Sequence, residues 1–199
     1  MLVPFRLTVC GLEEIPGHCE AGVSHVLSIL DPGWPAPDFG SFGEHSRLEL
    51  RFNDIIEADV PGSPPLPDHV AQVLEFGGCV REGDHLLVHC HAGVSRSTAA
   101  MTLILAKARP ELPAAEVMAE VVRIRRQAWP NLRMIELGDR ILGRGGELVA
   151  AAHARYAAVL ARKPHKADDF IEAGRGREVR AALGSGAAAG AEPPRASAS

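Results

Sequence analysis

The stretch Leu86-Leu87-Val88-His89-Cys90-His91-Ala92-Gly93-Val94-Ser95-Arg96-Ser97 decides the fold. Residues 86–89 are a short apolar run of the kind that forms a buried central strand. Residues 97–108 are rich in Ala and Leu, with no breaker before Pro110, and predict a buried helix. Between them lie a glycine and small residues. A strand-loop-helix of this kind exposes successive backbone N–H groups that converge on one point. The helix N-terminus adds partial positive charge there. The product is an anion cradle the size of a phosphate. A cysteine at its base is expected to be more acidic than a free thiol, whose pKa of about 8.5 can fall to about 3.5–7.5 in such settings. Cys90 would then be a thiolate nucleophile. Arg96, six positions on, can give a phosphoryl group two parallel hydrogen bonds, a fork that lysine lacks.

Upstream, residues 6–10 and 25–30 read as short strands, closed by Gly11 and by Asp31-Pro32-Gly33. A Pro- and Gly-rich loop over residues 32–43 carries Trp34, Phe39 and Phe42 and is expected at the surface, pinned by its aromatics. Residues 47–52 alternate, with Leu48, Leu50 and Phe52 on one face, which is strand period. Residues 60–67 hold four prolines and predict a loop. Asp68 is expected to cap a helix with Val70, Val73 and Leu74 on its inner face. Downstream, Pro113 opens a predicted helix over residues 114–128, with Val117, Val121 and Ile124 inward. Pro130 closes it, and Asn131 caps another helix carrying Met134, Ile135, Ile141 and Leu142.

The fold class expected is therefore α/β: a central, mostly parallel sheet flanked by helices. From about Arg162 the chain turns to Ala, Gly, Arg, Ser and Pro, and residues 181–199 are expected to be disordered. The domain should span residues 1–161 and a flexible tail 162–199. The chain has 199 residues, enough for one sizeable core. Its net charge of -4 gives no general attraction to nucleic acid or anionic membrane. The four cysteines, Cys10, Cys19, Cys79 and Cys90, form no spacing framework and read as reduced thiols. With no signal-like start and no run of about 18 apolar residues, a cytoplasmic location is expected.

The run HCHAGVSRS resembles the signature of the protein tyrosine phosphatase superfamily. With the later Arg126-Gln127-Ala128-Trp129-Pro130-Asn131, it is similar to the small dual-specificity branch and its bacterial relatives, over about residues 7–143. The resemblance implies a cysteine-phosphatase fold and a two-step reaction on phosphorylated protein or peptide, without cofactor or metal. Cys90 would form a cysteinyl-phosphate that water hydrolyses. Arg96 and the backbone of His91, Ala92, Gly93, Val94 and Ser95 would bind the phosphoryl oxygens. Ser97 would help the sulfur leave. His89 would orient the loop and favour the thiolate without transferring a proton. His91 is expected to face solvent; Arg125 and Arg126 are expected on a solvated helix face, with a place near the site as the alternative.

The leaving oxygen needs a proton donor. In the family this is an upstream aspartate, and two candidates exist. Asp54 directly follows the alternating strand and is preferred; Asp59 lies deeper in the proline-rich loop. Such an enzyme should show an acidic limb from the thiol and a basic limb from the aspartic acid. The alternatives are a phosphatase for lipid or nucleotide phosphates, a non-catalytic phosphate-binding module, and a sulfur-transfer or arsenate-reducing enzyme. The loop lacks the lysines that would suit a multiply charged headgroup, and Cys10 and Cys19 lack the spacing of a resolving pair. Pocket depth, which decides between phosphotyrosine and phosphoserine/threonine, is not encoded in the motif.

Overall fold

The computed structural model describes residues 2–189, and the last stretch of the expected tail, 190–199, lies outside the described residues. The chain divides into two units, Met1–Ala152 and His153–Ser199.

The first unit is built on four parallel strands, β1 (Arg6–Cys10), β2 (His25–Leu30), β3 (Ser46–Arg51) and β4 (His85–His89), in the order β1-β4-β2-β3. Every residue of β4 is buried, as a central parallel strand requires. α1 (Pro67–Gly77), α2 (Arg96–Ala108), α3 (Ala114–Ile124) and α4 (Leu132–Ile141) complete the layer, with α2 packed against the other three and against β4 and β1. α2 is buried from Arg96 through Ala106. α4 approaches it closely: a Cβ on Gly138 would stand 2.2 Å from a Leu103 methyl. A separate cluster gathers Cys10, Val26 and Leu87 with Ile15, Val23, Phe39 and Phe42. A 3-10 helix (Leu12–His18) and the two phenylalanines of the aromatic loop thus supply cover that the sequence pattern did not assign to any element.

Three boundaries differ from expectation. Asp68 lies inside the first turn of α1 rather than capping it, because Pro67 takes the first helical position and Leu66 precedes it. α3 ends at Ile124, so residues 125–131 are free to wrap the loop after β4. The expected flexible segment contains helix: α5 (Glu147–Arg162) ends at its start, and α6 (Lys166–Glu172) and α7 (Gly176–Ala189) lie within it. Alanine is the strongest helix former, and α7 also buries Val179 and Ala182. Arg175 and Glu178 make a buried two-bond ion pair, 2.7 Å at each contact. Among the described residues, no helix is long and apolar enough to cross a membrane.

The parallel arrangement points all four strand C-termini to one edge, where ligands of open α/β sheets bind. Gly11, Asp31, Phe52 with Asp54, and Cys90 are delivered there by β1, β2, β3 and β4 respectively.

Candidate active site

The loop from Cys90 to Arg96 is turned so that its carbonyls face outward into the protein. His91 O accepts from Leu12 N (2.9 Å), Val94 O from Trp129 N (2.9 Å) and Ser95 O from Asn131 N (3.3 Å). Gly93 O and Ala92 O accept from Arg125 Nε (3.0 Å) and Nη2 (3.1 Å). Among the described residues, the backbone N–H groups of His91, Ala92, Gly93 and Val94 have no acceptor. A row of bonded carbonyls and unclaimed amides at a helix N-terminus can hold an anion. Gly93 makes the turn possible. Its φ is +67°, and a Cβ there would lie 2.4 Å from the Cys10 carbonyl carbon.

Cys90 sits at the base, 2% exposed, with its sulfur 3.2 Å from Ser97 Oγ. Arg96 is 3% exposed. Its Nη1 donates to Asp31 Oδ1 and to Phe52 O, both at 2.6 Å, while Nε has no partner. A buried, unpartnered guanidinium N–H beside a row of unclaimed amides fits a phosphoryl oxygen. Asp54 is half-buried. Its Oδ1 accepts from Ser95 Oγ (2.7 Å) and Asn131 Nδ2 (2.8 Å), which places it against the C-terminal end of the loop. Asp59 is exposed.

Comparison with known proteins agrees with this geometry. No protein-family model matches the chain. Dual specificity protein phosphatase 12 of Mus musculus is 38% identical over 95 residues, which is 46% of this chain and 26% of that protein. The chain spans about a quarter of the length of the curated relatives it matches. Human DUSP28 superposes with a TM-score of 0.55 at 20% identity, covering 72% of this chain and 94% of that one. The human tyrosine phosphatase-like serine/threonine/tyrosine-interacting protein gives 0.53 at 19%, covering 71% and 93%. The chain has the fold of these solved structures, and 95 of its residues are similar to a dual specificity protein phosphatase.

Around this loop several side chains sit where the sequence did not put them. His91 does not face solvent freely. Its Nε2 accepts from the Asp31 N–H (3.2 Å), and its ring packs edge-on against Trp34, with centroids 4.6 Å apart. Burial, with the Arg96 charge adding to it, holds His91 below the usual imidazole range, which suits an accepting nitrogen. Arg125 is not on a solvated helix face; besides the two loop carbonyls it pairs with Glu14 at 2.9 Å. Asn131 caps α4 through Met134 N (3.0 Å), as expected, and its amide also reaches Asp54. His89 bonds Ser28 Oγ at 2.7 Å, and burial pushes its pKa down to about 4, so it stands under the loop as a neutral ring. Burial also pushes the Cys10 thiol up to about 12, and all four cysteines are free. Asp31 was missed altogether, because nothing near residue 31 in sequence announces a partner 65 positions away.

Proposed function

We propose that the domain is a cysteine-dependent phosphatase that hydrolyses phosphate monoesters of proteins, phosphotyrosine and phosphoserine/threonine, through a cysteinyl-phosphate. The observation that carries this reading is the Cys90 sulfur beneath unclaimed loop amides, flanked by the Ser97 hydroxyl and by the unpartnered Nε of Arg96.

In the first step the Cys90 thiolate attacks phosphorus and the ester P–O bond breaks. The departing oxygen takes the proton of the Asp54 carboxyl. Arg96 and the amides of residues 91–96 hold the three equatorial oxygens as charge spreads over them. In the second step water attacks phosphorus and gives its proton to the Asp54 carboxylate. The S–P bond breaks, and the returning thiolate is met by the Ser97 hydroxyl. Inorganic phosphate leaves with Asp54 protonated again.

A protein substrate is favoured over a multiply phosphorylated lipid or nucleotide by the cations beside the loop. Residues 91–95 include no lysine. The guanidinium of Arg125 is committed to two loop carbonyls and to Glu14. Trp34, 48% exposed and set against His91, gives the adjoining cleft an aromatic and proline wall instead.

The reading is tested with 4-nitrophenyl phosphate and a phosphopeptide panel. Cys90→Ser should abolish turnover while leaving the fold intact, vanadate should inhibit, and a chelator should have no effect. Full activity of Cys90→Ser would remove the mechanism. Full activity on phosphoinositide headgroups with none on phosphopeptides would move the substrate class to lipids.

A further inference from the structure

We propose that Asp31 is the positioning residue of the phosphate clamp, tying down both ends of the Cys90–Arg96 loop from the end of β2. This rests on the reading of that loop as a phosphoryl site.

The argument is a count of donors. A guanidinium offers one N–H at Nε and two at each terminal nitrogen. In Arg96 both hydrogens of Nη1 are used, one on the Asp31 carboxylate and one on the Phe52 carbonyl, each at 2.6 Å. That leaves the edge formed by Nε and Nη2 as the fork for phosphate. The Phe52 carbonyl alone would fix one point and leave the planar group able to turn about it. Asp31 supplies the second point.

The same residue holds the other end of the loop. Its backbone N–H donates to Nε2 of His91, the residue directly after the nucleophile, and its Oδ1 lies 3.8 Å from that nitrogen. Asp31 therefore touches the first and last side chains beyond Cys90. It is itself anchored: Arg51 Nη1 donates to the carbonyls of Asp31 (3.3 Å) and Trp34. Trp34 then covers His91 from outside. β2 thus ends in a clasp on the phosphate loop. The Arg96 pair is worth keeping because its guanidinium is buried, and a buried charge that loses one partner is left under-compensated.

The test uses the full chain and separates positioning from stability. Tungstate binding is measured calorimetrically on Cys90→Ser, alone and with Asp31→Ala or Asp31→Asn, beside thermal unfolding of each. KM and kcat are measured on the corresponding active variants. Asp31→Ala should weaken tungstate binding tenfold or more and raise KM. Asp31→Asn, which keeps an acceptor oxygen, should recover most of both. With Arg96→Ala already present, Asp31→Ala should cause no further loss. A purely structural Asp31 would lower the fraction of binding-competent protein and leave the tungstate Kd and KM unchanged; that result overturns the proposal. Equal losses in the Asn and Ala variants overturn it too. If Cys90→Ser with Asp31 intact fails to bind tungstate, the phosphatase reading itself fails, which is a different result.

Discussion

The phosphate loop is met by two aspartates from neighbouring strand ends, and they are held in opposite ways. Asp31, after β2, is paired to a buried guanidinium at 2.6 Å. Asp54, after β3, accepts from a hydroxyl and a carboxamide. An acid that must give up and regain its proton each turnover cannot sit in a tight ion pair, because protonating it would break the pair and strand the cation. Neutral donors impose no such lock. They position the carboxyl, and both meet the same oxygen, Oδ1. The contrast supports the proposed division of work, in which Asp31 holds and Asp54 transfers.

The largest expected effect tests that division directly. Asp54→Asn should lower kcat by about 100-fold or more on phenyl phosphate, whose leaving group needs the proton. It should have far less effect on 4-nitrophenyl phosphate, and the basic limb of the kcat profile should flatten. If Asp59→Asn does this instead, the comparison of strand ends loses its second member. A second prediction concerns the base of the β2 side, where buried His89 bonds Ser28. Its folded pKa of about 4 lies below the ordinary value of 6.5, so between those values the unfolded chain binds the extra proton. Stability is full above pH 6.5 and falls as pH drops toward 4, by about 3 kcal/mol from this group. Urea unfolding at pH 7 and pH 5 should show a smaller difference in His89→Gln than in the unaltered protein. An equal difference would mean that His89 is not desolvated.

How much of this could be read from sequence follows contact range. Cys90, Arg96 and Ser97 fall within eight consecutive residues, so strand, loop and helix placed them without knowledge of the rest. Asp54 was legible because a strand's alternation ends beside it. Asp31 and Arg125 were not, since their contacts span 65 and 32 positions and depend on the strand order β1-β4-β2-β3, which no local pattern encodes. Arg125 looked solvated because three arginines close together on a predicted helix end normally are. The helix stops at Ile124, one residue before Arg125, and that guanidinium turns to the loop carbonyls. Asn131 shows a different limit: the cap was legible, and one good reason for an asparagine concealed a second.

That second reason gives the next prediction. Asn131→Ala removes both the cap and a donor to Asp54, and should cost about 1 kcal/mol of stability together with activity. Asn131→Ser keeps a capping oxygen but is too short to restore the amide contact, so it should recover stability more than kcat. Parallel recovery of both would reduce Asn131 to a cap.

The smallest effect is the most informative about Asp54. Ser95→Ala deletes one neutral donor and leaves the Asn131 amide in place, so the carboxyl should stay near the loop and kcat should fall less than about tenfold, the scale of one hydrogen bond. Hydrogen bonds donated to a carboxylate favour its charged form, so losing one raises its pKa. The basic limb of the kcat profile should therefore move to higher pH, in the opposite sense to a loss of the acid. A limb that stays fixed while kcat falls would mean that the titrating group is not the one Ser95 touches. The β3 aspartate would then be a strut like its β2 neighbour, and the proton would have to come from elsewhere.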